Sequence, residues 1–180
     1  MFYRVVLTTA SVLVMVGCEG AAKSDSPIGV TAPSALSMKA VDVPFSGAVT
    51  GGLRSVVNPQ NCPSGRTSVN DATGTALHIG RITYHTEQCV DQSVLPWGVD
   101  GRVLILTAAN GDELHGTFTG QSTVPGGVGK EVHVSGTFVF RGGTGRFEDA
   151  TGTAKMTGVL TQAATFPWPG RWEWTGTIRY

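Results

Sequence analysis

From Val43 to Tyr180 apolar and polar residues alternate in short runs broken by Gly, Pro and Asn-Gly, and no stretch carries a helical period. A period of two constrains the fold more than any other feature here. Each run has only one face to bury, so the runs must pair into antiparallel sheets whose apolar faces meet. Near the C-terminus Trp172, Trp174, Ile178 and Tyr180 share one face with Gly176, and Glu173, Thr175, Thr177 and Arg179 share the other. Val132, Val134, Phe138 and Phe140 repeat the scheme against His133, Ser135 and Thr137. Ala109-Asn110-Gly111-Asp112 predicts a tight hairpin between two runs, on the expectation that both Asn110 and Gly111 take positive φ. The apolar phase set by Leu77 and Ile79 slips at Gly80-Arg81 to that of Ile82 and Tyr84, which predicts a β-bulge. With further runs near Phe45–Leu53 and Thr153–Thr161 this makes seven or eight strands. The expected fold is all-β, a single closed antiparallel barrel of about eight strands, with an open sandwich as the alternative.

Residues 1–17 place a lone Arg4, an apolar run from Val5 to Val16 too short to span a bilayer, and Gly17 ahead of Cys18. This pattern resembles a bacterial lipoprotein signal. It predicts removal of residues 1–17 and acylation of Cys18, by palmitate or a similar chain. Residues 18–42, rich in Ala, Ser, Pro, Gly and Lys, then read as a flexible linker, and residues 43–180 as the domain. The location implied is the cell envelope outside the cytoplasm, at the outer membrane in a Gram-negative cell. There, Cys62 and Cys89 are expected to form a disulfide, the alternative being two reduced thiols. Lys plus Arg and Asp plus Glu balance at 13 each, which leaves no basic footprint for nucleic acid.

Gly142-Gly143-Thr144-Gly145-Arg146-Phe147-Glu148-Asp149-Ala150-Thr151-Gly152 lies between two predicted strands. It resembles the strand junction of the allene oxide cyclase-like and dirigent-like β-barrels, which carry a Gly-Gly-Thr-Gly-x-Phe-x-x-Ala-x-Gly turn. The chain is also similar to a group of bacterial secreted proteins through Thr75–Arg81, Cys89-Val90-Asp91 and Thr107–Asp112. The resemblance, spanning roughly Val43 to Tyr180, implies an eight-stranded barrel with a central cavity, and implies no particular activity, because the pocket residues of those families have no matching positions here. Gly142, Gly143 and Gly145 read as structural turn residues and Phe147 as a plug for one barrel end. Without a following Lys-Ser/Thr or helix, the turn is not read as a phosphate cradle.

The remaining chemistry is sparse. His78, His85, His115 and His133 fall on polar strand faces without metal-ligand spacing, so neither a metal nor another cofactor is expected. There is no Gly-x-Ser-x-Gly nucleophile elbow, and Glu87, Asp91, Glu148 and Asp149 read as solvated, so no residue is assigned a catalytic role. The aromatic set Phe166, Trp168, Trp172 and Trp174 suits either core packing or a contact surface. The inward set is expected to comprise Phe45, Leu77, Ile79, Tyr84, Leu114, Phe118, Phe138, Phe140, Met156, Trp172 and Trp174. It predicts a mostly filled barrel with a shallow apolar mouth near Trp172 and Trp174. Tyr84, Phe118, Trp168, Trp172 and Trp174 are the candidate contacts for a small hydrophobic ligand. The reading favours a lipid-anchored, non-enzymatic barrel of the cell envelope whose interior either binds a small apolar molecule or is simply packed. Its alternatives are an isomerase or cyclase-like enzyme using the same cavity and a protein-interaction module; an outer-membrane barrel is a weaker possibility raised by the final strand ending in Tyr180.

Overall fold

A computed structural model describes residues 41–57 and 62–180; the segment 1–17 expected to be a signal, Cys18 and the expected linker up to residue 40 lie outside them. Eight strands follow one another: β1 (Val43–Val57), β2 (Arg66–Ala76), β3 (Gly80–Asp91), β4 (Trp97–Ala108), β5 (Glu113–Ser122), β6 (Glu131–Gly143), β7 (Thr151–Thr161) and β8 (Trp168–Arg179). Each pairs antiparallel with the next, and β8 pairs with β1 to close the ring, with Val43 opposite Ile178 and Leu53 opposite Trp168. Closure leaves no edge strand, the usual liability of a sheet. The barrel, and not the sandwich, is the fold.

Alternation sets what the barrel contains. On β8 Trp172, Trp174 and Ile178 are buried while Arg171, Glu173, Thr175 and Thr177 are exposed, and β7 repeats this with Ala154, Met156 and Leu160 inside. The middle of the lumen is an aromatic layer. The Tyr84 ring lies 5.8 Å from Trp172 and 5.9 Å from Trp174, and Phe138 sits 5.8 Å from Trp174 and 5.4 Å from Phe118. Inward glycines make the room for it. A Cβ on Gly158 would strike the Trp172 indole, and one on Gly47 the indole of Trp174. A transmembrane barrel has an apolar outer band and a polar interior; this one has the reverse arrangement.

Two local expectations are corrected. The phase slip at Gly80-Arg81 is not a bulge but a hairpin: β2 ends at Ala76, Leu77–Ile79 turn the chain, and Gly80 pairs with Ala76 as β3 begins. Leu77 therefore is not inward but 48% exposed, its amide donating to the Ser46 carbonyl, whereas Ile79 is buried. True register shifts occur on β4 between Gly101 and Leu104, and on β5–β6 opposite Phe140–Gly143. The Ala109–Asp112 hairpin forms as expected, but of its turn residues only Gly111 has positive φ, at 90°. Its amide donates to the Ala108 carbonyl at 3.0 Å and the Ala108 amide to the Asp112 carbonyl at 2.8 Å, so the loop is a three-residue turn followed by a glycine bulge and not a two-residue turn.

Candidate ligand-binding mouth of the barrel

The ring order gives the two ends different loops. One end carries the turns Leu77–Ile79 and Ala109–Asp112, the segment Thr144–Ala150, and both ends of the described domain; the other carries the segments 62–65, 92–96, 123–130 and 162–167.

The first end is closed. A short 3₁₀ turn, Gly145–Phe147, drops Phe147 into the barrel, where it is fully buried with its ring 5.4 Å from that of Tyr180. Arg146 spreads over the outer face of the Phe147 ring, its guanidinium carbon 4.7 Å from the centroid, and its Nη2 donates to the Ile79 carbonyl at 3.2 Å. The Thr144 amide donates to the Glu113 carbonyl at 2.8 Å, and the Glu113 amide returns the bond to Thr144 Oγ1 at 2.9 Å. Gly145, with φ of 55°, lies so close to the Asp112 carboxylate that a Cβ there would collide with it. Gly142, Gly143, Gly145 and Phe147 thus form a structural closure.

The second end is open. A cavity of about 370 Å³ enters the barrel there, lined by residues from all eight strands. Its deeper wall is two-sided. On β6 and β7, Val132, Val134 and Leu160 are buried and apolar. Across the ring, β2 and β3 set polar residues in facing pairs, Ser68 opposite Gln88 and, one level further in, Asn70 opposite Thr86. Ser122 on β5 adds a third buried polar side chain to the cavity wall beside Ser68 and Gln88. Around the rim stand Leu53, Trp97, Phe166 and Trp168, the last two stacked with ring centroids 5.0 Å apart. Val94, Leu95, Val124 and Val128 extend this apolar surface onto the exposed loops. Asp91, at the start of the 92–96 connection, accepts from the Ser93 hydroxyl at 2.6 Å and from its amide at 2.9 Å, and these bonds hold its carboxyl below the usual range.

Asn70 Nδ2 donates to Thr86 Oγ1 at 2.9 Å, but Gln88 Nε2 in the cavity wall and Asn70 Oδ1, Tyr84 Oη and Trp174 Nε1 outside the lining are buried without a hydrogen-bond partner. Burial pushes the Tyr84 phenol well above its ordinary value, with the neighbouring Thr86 side chain opposing only part of the rise. Such groups stand out in a lumen otherwise filled with hydrocarbon, since each costs about 1–3 kcal/mol when left unpaired.

Of the residues expected to meet a ligand, the cavity is lined by Trp168 alone. Tyr84, Phe118, Trp172 and Trp174 are packed in the aromatic layer below it, so on β8 the mouth is formed by Trp168 at the start of the strand and not by Trp172 and Trp174. Ser68, Gln88, Ser122 and Trp97 were not expected. For Gln88 the signal existed: continuing the phase of Ile82 and Tyr84 places Thr86, Gln88 and Val90 inside. Cys62 and Cys89 form a disulfide, with Cα atoms 5.2 Å apart, that ties the segment before β2 to the mouth end of β3.

Among the described residues no histidine or carboxylate lines the cavity, so none of them stands as a base beside Ser68 or Ser122 to make either a nucleophile. The histidines sit on the outer surface or in turns. His85 Nδ1 lies 2.7 Å from Asp71, His115 Nε2 2.8 Å from Glu113 and His133 Nε2 3.4 Å from Glu131. Among the described residues no group of three or more His, Cys, Asp or Glu is placed to hold a metal ion, and no helix is long and apolar enough to cross a membrane. Comparison of the chain with protein-family models, with curated proteins and with solved structures finds no match in any of the three.

Proposed function

We propose that this chain is a lipid-anchored protein of the cell envelope whose barrel binds a small, largely apolar molecule in its open mouth. The observation that carries the reading is the difference between the two ends. The closed end is sealed by Phe147 and its turn, while the other opens into a cavity of about 370 Å³, within the size range of small-molecule sites and walled mainly by hydrocarbon. At roughly 30 Å³ each it holds about a dozen groups the size of a water molecule. The Gly142–Gly152 turn supports kinship with the allene oxide cyclase-like and dirigent-like barrels, whose members also shape a cavity around a guest. Binding is favoured over catalysis because the buried polar groups of the cavity wall, Ser68, Gln88 and Ser122, are a neutral amide and hydroxyls with no carboxylate or histidine among the described lining residues.

Calorimetric titration of the full chain with ethylbenzene should give saturable binding. Val134→Phe, which fills the cavity from its apolar wall, should abolish that binding while leaving the β circular dichroism unchanged. No saturable binding in the unmodified protein refutes the reading. The anchor is tested separately. Cys18→Ser should move the protein from the membrane fraction to the soluble one, and native protein recovered soluble with residues 1–17 still attached refutes it.

A further inference from the structure

The mouth is not uniformly apolar: Ser55, Arg66, Gln92 and Gln162 line it nearer solvent, and Ser68, Gln88 and Ser122 are its buried polar side chains. Gln88 is only 5% exposed, its Nε2 has no partner, and it contributes to the cavity wall together with the buried Ser68 and Ser122. On β6 and β7, Val134, the register partner of Ser122, and Leu160 present only hydrocarbon. We propose that the site takes a neutral amphiphile polar end first, with a hydroxyl or carbonyl head at Gln88, Ser68 and Ser122 and a hydrocarbon body against Val134 and Leu160. This assignment of ligand class rests on the binding role proposed above.

The charge of the head follows from what surrounds it. Among the described residues no cation lies at the depth of Gln88; the positive side chain in the lining, Arg66, is exposed at the rim with its Nη1 3.4 Å from Ser55 Oγ. A carboxylate carried down to Gln88 would lose its hydration without gaining a counter-charge, which is far costlier than burying a hydroxyl. A hydroxyl both donates and accepts, so it satisfies the Gln88 amide whichever of its two ends faces the guest. An unpaired buried amide that gains its partner only on binding also favours guests carrying such a head over pure hydrocarbons, through the removal of a pre-existing penalty.

Ethylbenzene and benzyl alcohol differ by the exchange of a terminal methyl for a hydroxyl, and benzoate carries a charged head on the same ring. Calorimetry on the full chain should show benzyl alcohol binding at least tenfold more tightly than benzoate. In Gln88→Met, close in shape but without the amide, the affinity for benzyl alcohol relative to ethylbenzene should fall about tenfold. Ser122→Ala, a smaller change that keeps the test open if Gln88→Met does not fold, should lower the same ratio about threefold to fivefold. A ratio unchanged in the folded variants, or benzoate binding as tightly as the alcohol, overturns the head-first assignment while ethylbenzene binding still upholds the apolar site. Failure of all three compounds to bind removes the site itself.

Discussion

Tyr84 combines full burial with a hydroxyl that no partner meets. Its value to the fold lies in the ring, which contacts Trp172, Trp174 and Phe138 at the centre of the lumen. Tyr84→Phe should therefore change stability at neutral pH by no more than about 1 kcal/mol, because it removes an unpaired polar group together with a bond that was never made. The same hydroxyl governs behaviour in alkali. Burial raises the folded phenol above the ordinary tyrosine value, so up to about pH 9 both folded and unfolded chains hold the proton and stability does not depend on it. Above that pH the unfolded chain releases a proton that the folded one retains, and stability falls as pH rises. Thermal melts between pH 7 and 11.5 should show this decline in the unmodified protein and a shallower one in Tyr84→Phe. A loss of several kcal/mol in the variant at pH 7 would contradict the unpaired hydroxyl.

Among the elements, the Thr144–Ala150 segment does the most for its length, since Phe147 fills the closed end and its neighbours bind the turns on either side. Phe147→Ala should cost about 3–5 kcal/mol, read as a lower denaturation midpoint with an unchanged slope. A cost below 1 kcal/mol would show that the end closes without it. Much of this scale was legible in the sequence. The strands around Trp172–Ile178 and Val132–Phe140 and the Asn110-Gly111 hairpin follow from alternation and glycine placement, while the plugging role of Phe147 is read alongside the family resemblance of its turn. The Leu77–Gly80 region was misjudged for a physical reason: a bulge and a tight hairpin both invert the apolar phase beside a glycine, and only the pairing of Ala76 with Gly80 separates them. The mouth was legible only in part. Which end of β8 is open depends on the stagger of the closed ring, and the polar wall exists only because register sets Ser68 opposite Gln88 and Asn70 opposite Thr86. Residues 66–71, read singly, mix polar types without a clean alternation and give no such signal.

For the whole molecule, the Cys62–Cys89 bond closes a loop with a sequence separation of 27 residues at the mouth end. In the chain-entropy account such a loop destabilises the unfolded state by about 3 kcal/mol. Reduction should lower the melting temperature by roughly 10 °C, seen in paired melts with and without reductant. Labelling of both thiols in native, unreduced protein would contradict the bond. The ring also has no privileged first strand. Arg179 Nε meets Asp42 Oδ1 at 2.9 Å and β8 lies against β1 along its whole length, so the place where the described domain begins and the place where it ends are neighbours at the closed end. A gene rearranged to join Tyr180 directly to Val41 through a short spacer, and reopened within residues 123–130, would therefore encode a barrel with all eight strand pairings intact and its new termini at the rim of the cavity.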